Sequence, residues 1–180
     1  MKKIILFLLL ISSLYAEAKL YVGFGYGMYD ENFIEGNKAQ SSSRLMKIKA
    51  GYGDRNAYAI EFSIDKLKNE SNIFSQSDSD KTGLNIELIK AFDFHKYINP
   101  FFKAGFGAGY FKIDRELQDT LNYGSFNLGL GCFIPLNEHF DIELTYDYKY
   151  ITYEAIDTIA EKISYNSYLN ALYFGFNVRF

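Results

Sequence analysis

The stretch "LYVGFGYGMY", Leu20–Tyr29, carries the information that decides the fold. Gly23, Gly25 and Gly27 alternate with Val22, Phe24, Tyr26 and Met28. A phosphate-binding glycine loop spaces its glycines at i, i+2 and i+5, between a strand and a helix. Here the period is two throughout and no helical pattern follows. That is the period of a β-strand whose two faces differ. One face is large and apolar, and the other carries almost no side chain.

The same alternation recurs along the chain. It predicts eight strands, at residues 20–29, 44–52, 57–65, 82–94, 101–112, 125–134, 140–150 and 167–180. Short connections centred near Asp54, Tyr97 and Asn137 follow the second, fourth and sixth strands. Longer polar connections follow the first, third, fifth and seventh. An even number of strands with alternating short turns and long loops is the pattern of an outer-membrane barrel. The expected fold is therefore all-β, an eight-stranded antiparallel up-and-down transmembrane barrel. Short turns and both termini would lie in the periplasm, with the long loops outside.

Residues 1–18 read differently. Lys2 and Lys3 precede the apolar run Ile4–Ile11, and Ala16 and Ala18 form an A-x-A arrangement. This is the pattern of a cleaved signal peptide, the run being too short to span a bilayer as a helix. Cleavage is expected after Ala18, with Ala16 the second choice, leaving 19–180 as one barrel domain. Loss of Lys2, Lys3 and Glu17 takes the net charge from −3 to −4. A mildly acidic exported chain lacks the clustered Lys and Arg that nucleic acid requires. Cys132 is the sole cysteine, so no internal disulfide forms. A cysteine facing lipid needs no partner.

Sorting residues by parity gives two faces. The apolar one carries Phe24, Ile48, Phe62, Leu84, Phe106, Leu128, Leu144 and Phe176 among others, and it bears no charge in the regular pattern. The other carries Lys47, Lys49, Glu61, Asp65, Glu87, Lys103, Asp141, Glu143, Asp147, Lys149 and Arg179, interleaved with glycines. Glycine inside a strand costs roughly 0.5–1 kcal/mol and gains nothing on a solvated face. In an eight-stranded barrel the interior is just wide enough for side chains to fill it. Glycines there make room for long charged neighbours, so "LYVGFGYGMY" is a lumen wall. Lys90 and Asn170 fall on the apolar face, where a Lys at the bilayer midplane costs about 2–4 kcal/mol. Either both lie at the membrane interface or a local bulge turns them.

The last strand ends at Phe180, with Val178, Phe176, Phe174 and Leu172 on its face. This resembles the C-terminal assembly signal of outer-membrane barrels. The mature chain as a whole resembles the small eight-stranded barrels of the OmpA/OmpX type, the outer-membrane protein β-barrel domain family. The resemblance implies residence in the cell outer membrane and insertion by its assembly machinery, which would recognise Leu172, Phe174, Phe176, Val178 and Phe180. Outer-membrane lipid and lipopolysaccharide are the implied surroundings.

The inward charges are expected to form a closed network of ion pairs among Lys47, Lys49, Glu61, Glu87, Asp93, Lys103, Asp141, Glu143, Asp147, Lys149 and Arg179. A three-residue turn near Asp54 sets Glu61 opposite Lys47, and a five-residue turn sets it opposite Lys49. Pairing Ile134 with Phe140 sets Asn127 opposite Asp147 and Ser125 opposite Lys149. Arg179 belongs at the level of Asp141 or Glu143, and Asp93 can oppose Lys103. Tyr173 and Phe133 should close the periplasmic half. In the fourth loop, Ile156, Ile159, Ala160 and Ile163 recur at helical spacing, which predicts a short amphipathic helix. His95 and His139 fall in the periplasmic turns, away from the outer rim where lipid chemistry would occur. With Cys132 they make no metal-ligand spacing, and no cofactor is expected. The expected role is that of a monomeric, non-enzymatic outer-membrane protein, structural or surface-interacting through its four long loops, with host, matrix or envelope components, an extracellular ligand among them, as candidate partners. A narrow channel is the alternative, and a lipid-modifying enzyme the third.

Overall fold

A computed structural model describes residues 18–34, 40–68, 80–94, 97–113, 120–157, 162–163 and 165–180. Residues 1–17 of the expected signal peptide lie outside this set. Strands β1 (Lys19–Phe33), β2 (Gln40–Gly53), β3 (Tyr58–Leu67), β4 (Lys81–Ala91) and β5 (Asn99–Lys112) follow in order. They are succeeded by β6 (Thr120–Pro135), β7 (Phe140–Tyr153), β8 (Ile156–Asp157), β9 (Lys162–Ile163) and β10 (Asn166–Arg179). Eight of these, β1–β7 and β10, close into an antiparallel up-and-down barrel. Pairing of β1 with β10, from Tyr21↔Arg179 to Phe33↔Ser167, seals the wall and removes every free edge.

The strands run further at the loop end than the apolar alternation suggests. β1 continues to Phe33 and β2 begins at Gln40. In this extension the outward positions become polar, as at Asp30, Asn32 and Ser42, while pairing continues unbroken. An apolar pattern cannot report a strand that has left the lipid. At the turn end the reverse holds. β4 stops at Ala91, not Phe94, because Pro100 has no N–H to carry the ladder past the Phe92 N–H to Pro100 carbonyl bond at 2.9 Å.

Two expected registers are corrected. Glu61 lies opposite Gly51, with Lys47 opposite Asp65 and Lys49 opposite Ser63. The turn is centred later than expected because Asp54 folds it. Its carboxylate accepts the Asn56 N–H at 2.8 Å, and its own N–H donates to the Tyr58 carbonyl at 2.8 Å. Gly53, with φ of 151°, supplies the backbone bend that enters this turn. Similarly Ile134 pairs with Ile142, not Phe140, so Asn127 faces Lys149, Gly129 faces Asp147 and Ser125 faces Ile151. Asn137 sets this turn by accepting the N–H groups of His139 and Phe140 at 2.8 and 2.9 Å.

The amphipathic helix in the fourth loop does not form at its described ends. Ile156 pairs with Ile163 and Asp157 with Lys162 in a two-stranded ribbon. Ile159 and Ala160 lie outside the described residues. The isoleucines are β-branched, and strand pairing suits them at least as well as a helix.

Outward side chains form the apolar belt. Phe24, Ile48, Phe62, Leu84, Phe106 and Phe174 are all exposed. A tyrosine group sits toward the loop end, with Tyr148 and Tyr150 packed on Tyr168 at 5.8 and 5.3 Å. Lys90 and Asn170 both lie in unbroken ladders, opposite Tyr58 and Tyr148 respectively, so no bulge turns them. Asn170 accepts a hydrogen bond from the Tyr146 hydroxyl at 2.7 Å.

Candidate functional site: the charged lumen

Seven acids and six bases are buried in the described barrel: Glu31, Glu61, Asp65, Glu87, Asp141, Glu143 and Asp147 against Lys47, Lys49, Lys81, Lys103, Lys149 and Arg179. Arg55, at the turn-end mouth, adds a seventh cation. An ion moved from water into low dielectric must be matched by a counter-ion and hydrogen bonds, or the fold cannot hold it. Each of these ions has an opposite charge beside it, while Glu61 Oε1, Glu87 Oε1 and Arg179 Nη2 are buried with no hydrogen-bond partner among the described residues.

At the turn end, Asp141 lies between two arginines. Arg179 Nε donates to its Oδ2, and Arg55 Nη1 to its Oδ1 at 2.7 Å. The Arg179 guanidinium also stacks on Tyr21 and Phe133, with centroids at 4.7 and 5.5 Å. Phe101 packs on Phe133, and Ile89 and Ala59 complete this apolar end. The next layer centres on Glu143. It pairs with Lys49 and accepts from Asn177 Nδ2 at 3.0 Å, Thr145 Oγ1 at 2.8 Å and the Tyr173 hydroxyl at 2.9 Å. Lys49 also lies 3.2 Å from Glu61, whose Oε2 accepts the Tyr21 hydroxyl at 2.9 Å.

Mid-barrel, Lys103 lies 3.0 Å from Glu87 and 2.9 Å from Asp147, and donates to the Tyr173 hydroxyl at 3.1 Å. Tyr173 thereby links two charged layers. Lys47 reaches Asp147 at 3.1 Å, Asp65 at 3.6 Å and Glu87 at 3.8 Å. Above it Lys149 pairs with Asp65 and donates to Asn85 Oδ1 at 2.9 Å. Asn85 in turn donates to Asp65 at 3.0 Å and accepts from Asn127 at 2.9 Å. At the loop end Lys81 pairs with Glu31. Tyr153 bridges them, accepting from Lys81 at 2.8 Å and donating to Glu31 at 2.6 Å. The Lys81 ammonium lies 5.2 and 4.7 Å from the Phe33 and Phe111 ring centroids, and these rings belong to a buried cluster with Leu121, Ile151 and Leu169.

Ten of the eleven residues expected in the network are therefore gathered in the lumen. Asp93 is not. It sits exposed beyond the end of β4, and the register places Ile89 opposite Lys103. Tyr173 faces inward but stands mid-barrel and packs with the loop-end cluster, so Phe133 closes the turn end without it. Sequence reasoning missed Glu31 and Lys81 because both lie just past the predicted ends of their strands. Their parity with Gly27 and Gly83 marks them as inward. Asp65 has the inward parity too, but its partners Lys47 and Lys149 follow only from the observed register and curvature. The glycines stand where long side chains cross. A Cβ on Gly129 would come within 2.6 Å of both Lys103 Cε and Asp147 Oδ1.

The sequence matches the outer membrane protein beta-barrel domain family over residues 4–180, in keeping with a closed eight-stranded wall that is apolar outside and charged and glycine-lined inside. The chain belongs to that family. It is an outer-membrane β-barrel protein, located in the cell outer membrane. No curated protein matches its sequence. Among solved structures, Neisserial surface protein A (NspA) superposes with a TM-score of 0.72 at 18 % identity, covering 91 % of this chain and 99 % of that one. Ail of Yersinia pestis, solved with the heparin analogue sucrose octasulfate, gives 0.58 at 16 %, with coverage of 91 % and 99 %. OprG of Pseudomonas aeruginosa gives 0.54 at 12 %, with coverage of 92 % and 97 %. At these identities the likeness is one of fold.

On β10, Leu172, Phe174 and Phe176 are exposed on the outer wall with Val178 half-buried, and Phe180, just past the strand's end, is exposed as well. The Phe180 N–H donates to the Leu20 carbonyl at 2.9 Å, joining the end of the chain to β1.

Proposed function

We propose that this protein is a non-enzymatic, monomeric surface-interaction barrel that acts through its loop end while its lumen stays closed. The observation that carries this reading is the charge-matched network, which runs from Asp141 at one mouth to Glu31 at the other. A lumen so filled offers no solute path, which leaves the connections at the loop end as the working surface. Their composition narrows the partner. Residues 68–80, 113–119 and 154–165 each carry a net charge of −2, and residues 34–39 are neutral. Ail binds a sulfated polyanion, whereas these acidic segments suit a basic partner.

The test compares intact cells bearing the full protein, cells bearing a variant shortened at those three segments, and cells lacking it. Immobilised basic and sulfated matrix components serve as probes. Capture on basic probes that disappears with the segments supports the reading. Equal capture by all three cell types contradicts it. The narrow-channel alternative draws on Lys47, which lies within 3.8 Å of three carboxylates and could exchange among them. Conductance separates the two.

A further inference from the structure

Lys90 is the feature of the outer wall that neither the barrel nor its loops account for. It projects from β4 one residue before the strand ends, half-buried on an otherwise apolar surface. Its ammonium lies 3.9 Å from the Tyr58 ring centroid and 5.6 Å from that of Phe92. Lys66, on the loop-end exterior, has Asp80 at 3.3 Å, but no carboxylate among the described residues lies within ion-pair distance of Lys90. Two aromatic faces thus fix a cation at the turn-end rim without neutralising it.

The wall beside it is indented. Ala104 on β5 sits among Leu88, Phe102, Leu128 and Leu130, and the small side chain leaves a groove of about 490 Å³ that Lys90 borders. Leu88 and Leu128 flank Ala104 in one cross-strand row, and Lys90 and Leu130 flank Phe102 in the next row toward the turn end. An apolar trough bordered by an ammonium that has no carboxylate partner among the described residues is complementary to an acyl chain joined to a phosphate. A second groove, about 740 Å³ over Ala50, presents no charged head group to lipid and serves as an internal comparison.

We propose that Lys90 and the Ala104 groove form a binding site for one phospholipid of the leaflet at the turn end. The acyl chain lies over Ala104, and the phosphate is held by Lys90. Charge complementarity selects the phosphate, since a charge-assisted hydrogen bond in a poorly hydrated setting is stronger than a neutral one. Continuity with the apolar belt selects a membrane lipid over a free anion.

Native mass spectrometry of the detergent-solubilised barrel, titrated with phosphatidylethanolamine, diacylglycerol of the same chains, or lipid A, tests this. The expected result is one phospholipid retained about tenfold better than diacylglycerol. Lys90→Gln should lower phospholipid retention to the diacylglycerol level, and Ala104→Phe should abolish retention of both. Ala50→Phe and Lys112→Gln should change nothing, and heat-dependent gel mobility checks that every variant is folded. Equal retention of phospholipid and diacylglycerol overturns the site. So does preferential retention of lipid A, an unchanged Lys90→Gln, or an equal loss in Lys112→Gln.

Discussion

Glu61 shows how a single lumen residue depends on three-dimensional placement. Strand parity allows it Lys47 or Lys49, and the observed register puts neither directly opposite. Its contact is diagonal, with Lys49 at 3.2 Å, while Lys47 serves Asp65, Glu87 and Asp147. Glu61→Lys should therefore destabilise the barrel by about 2 kcal/mol or more, because it leaves like charges buried together. Adding Lys49→Glu should recover part of that loss and adding Lys47→Glu should not, as read by urea unfolding in lipid vesicles. A second residue-scale test uses glycines of opposite face. Gly129→Val should cost about 1–3 kcal/mol by displacing Lys103 and Asp147. Gly124→Val, where a Cβ meets nothing within 4 Å, should stay within about 0.5 kcal/mol.

At the scale of the element, the strands were legible to the extent that lipid imposes the alternation. All eight barrel strands follow from it, including the glycine-lined wall at Gly23, Gly25 and Gly27. Their ends do not, because Asp30 and Ser42 continue a ladder in which outward residues no longer need to be apolar. Registers were out of reach for a related reason. Asp54 and Asn137 each tie down backbone N–H groups in their turns and shift the pairing by an even number of residues, which preserves parity and so leaves no trace in the pattern. The fourth loop misled because isoleucines at helical spacing also suit a ribbon. The last strand carries its own prediction. Deleting Phe180, which bonds to Leu20 at the closing seam, should lower outer-membrane levels while any assembled copies keep normal heat-dependent mobility. Equal levels of truncated and full-length chains would remove the terminal residue from assembly.

For the whole molecule, eight strands close into one outer-membrane barrel, and the leader expected at residues 1–18 can be tested directly. N-terminal sequencing of the membrane protein should return Lys19 as the first residue, or Glu17 if cleavage follows Ala16, and an intact Met1 would contradict export by a cleaved leader. Aqueous channels belong to barrels of roughly sixteen strands, and eight strands enclose about the width of their own side chains. Here that width is spanned by Lys47, Lys103 and Tyr173 with their acidic partners, and an apolar cluster packs toward each end. Such a barrel needs every buried charge matched, and the lumen charges balance once Arg55 is included. The most direct measurement is the conductance of purified, refolded protein in a planar bilayer. A closed lumen predicts rare, small steps and no sugar-driven swelling of liposomes; steady, large conductance would contradict it.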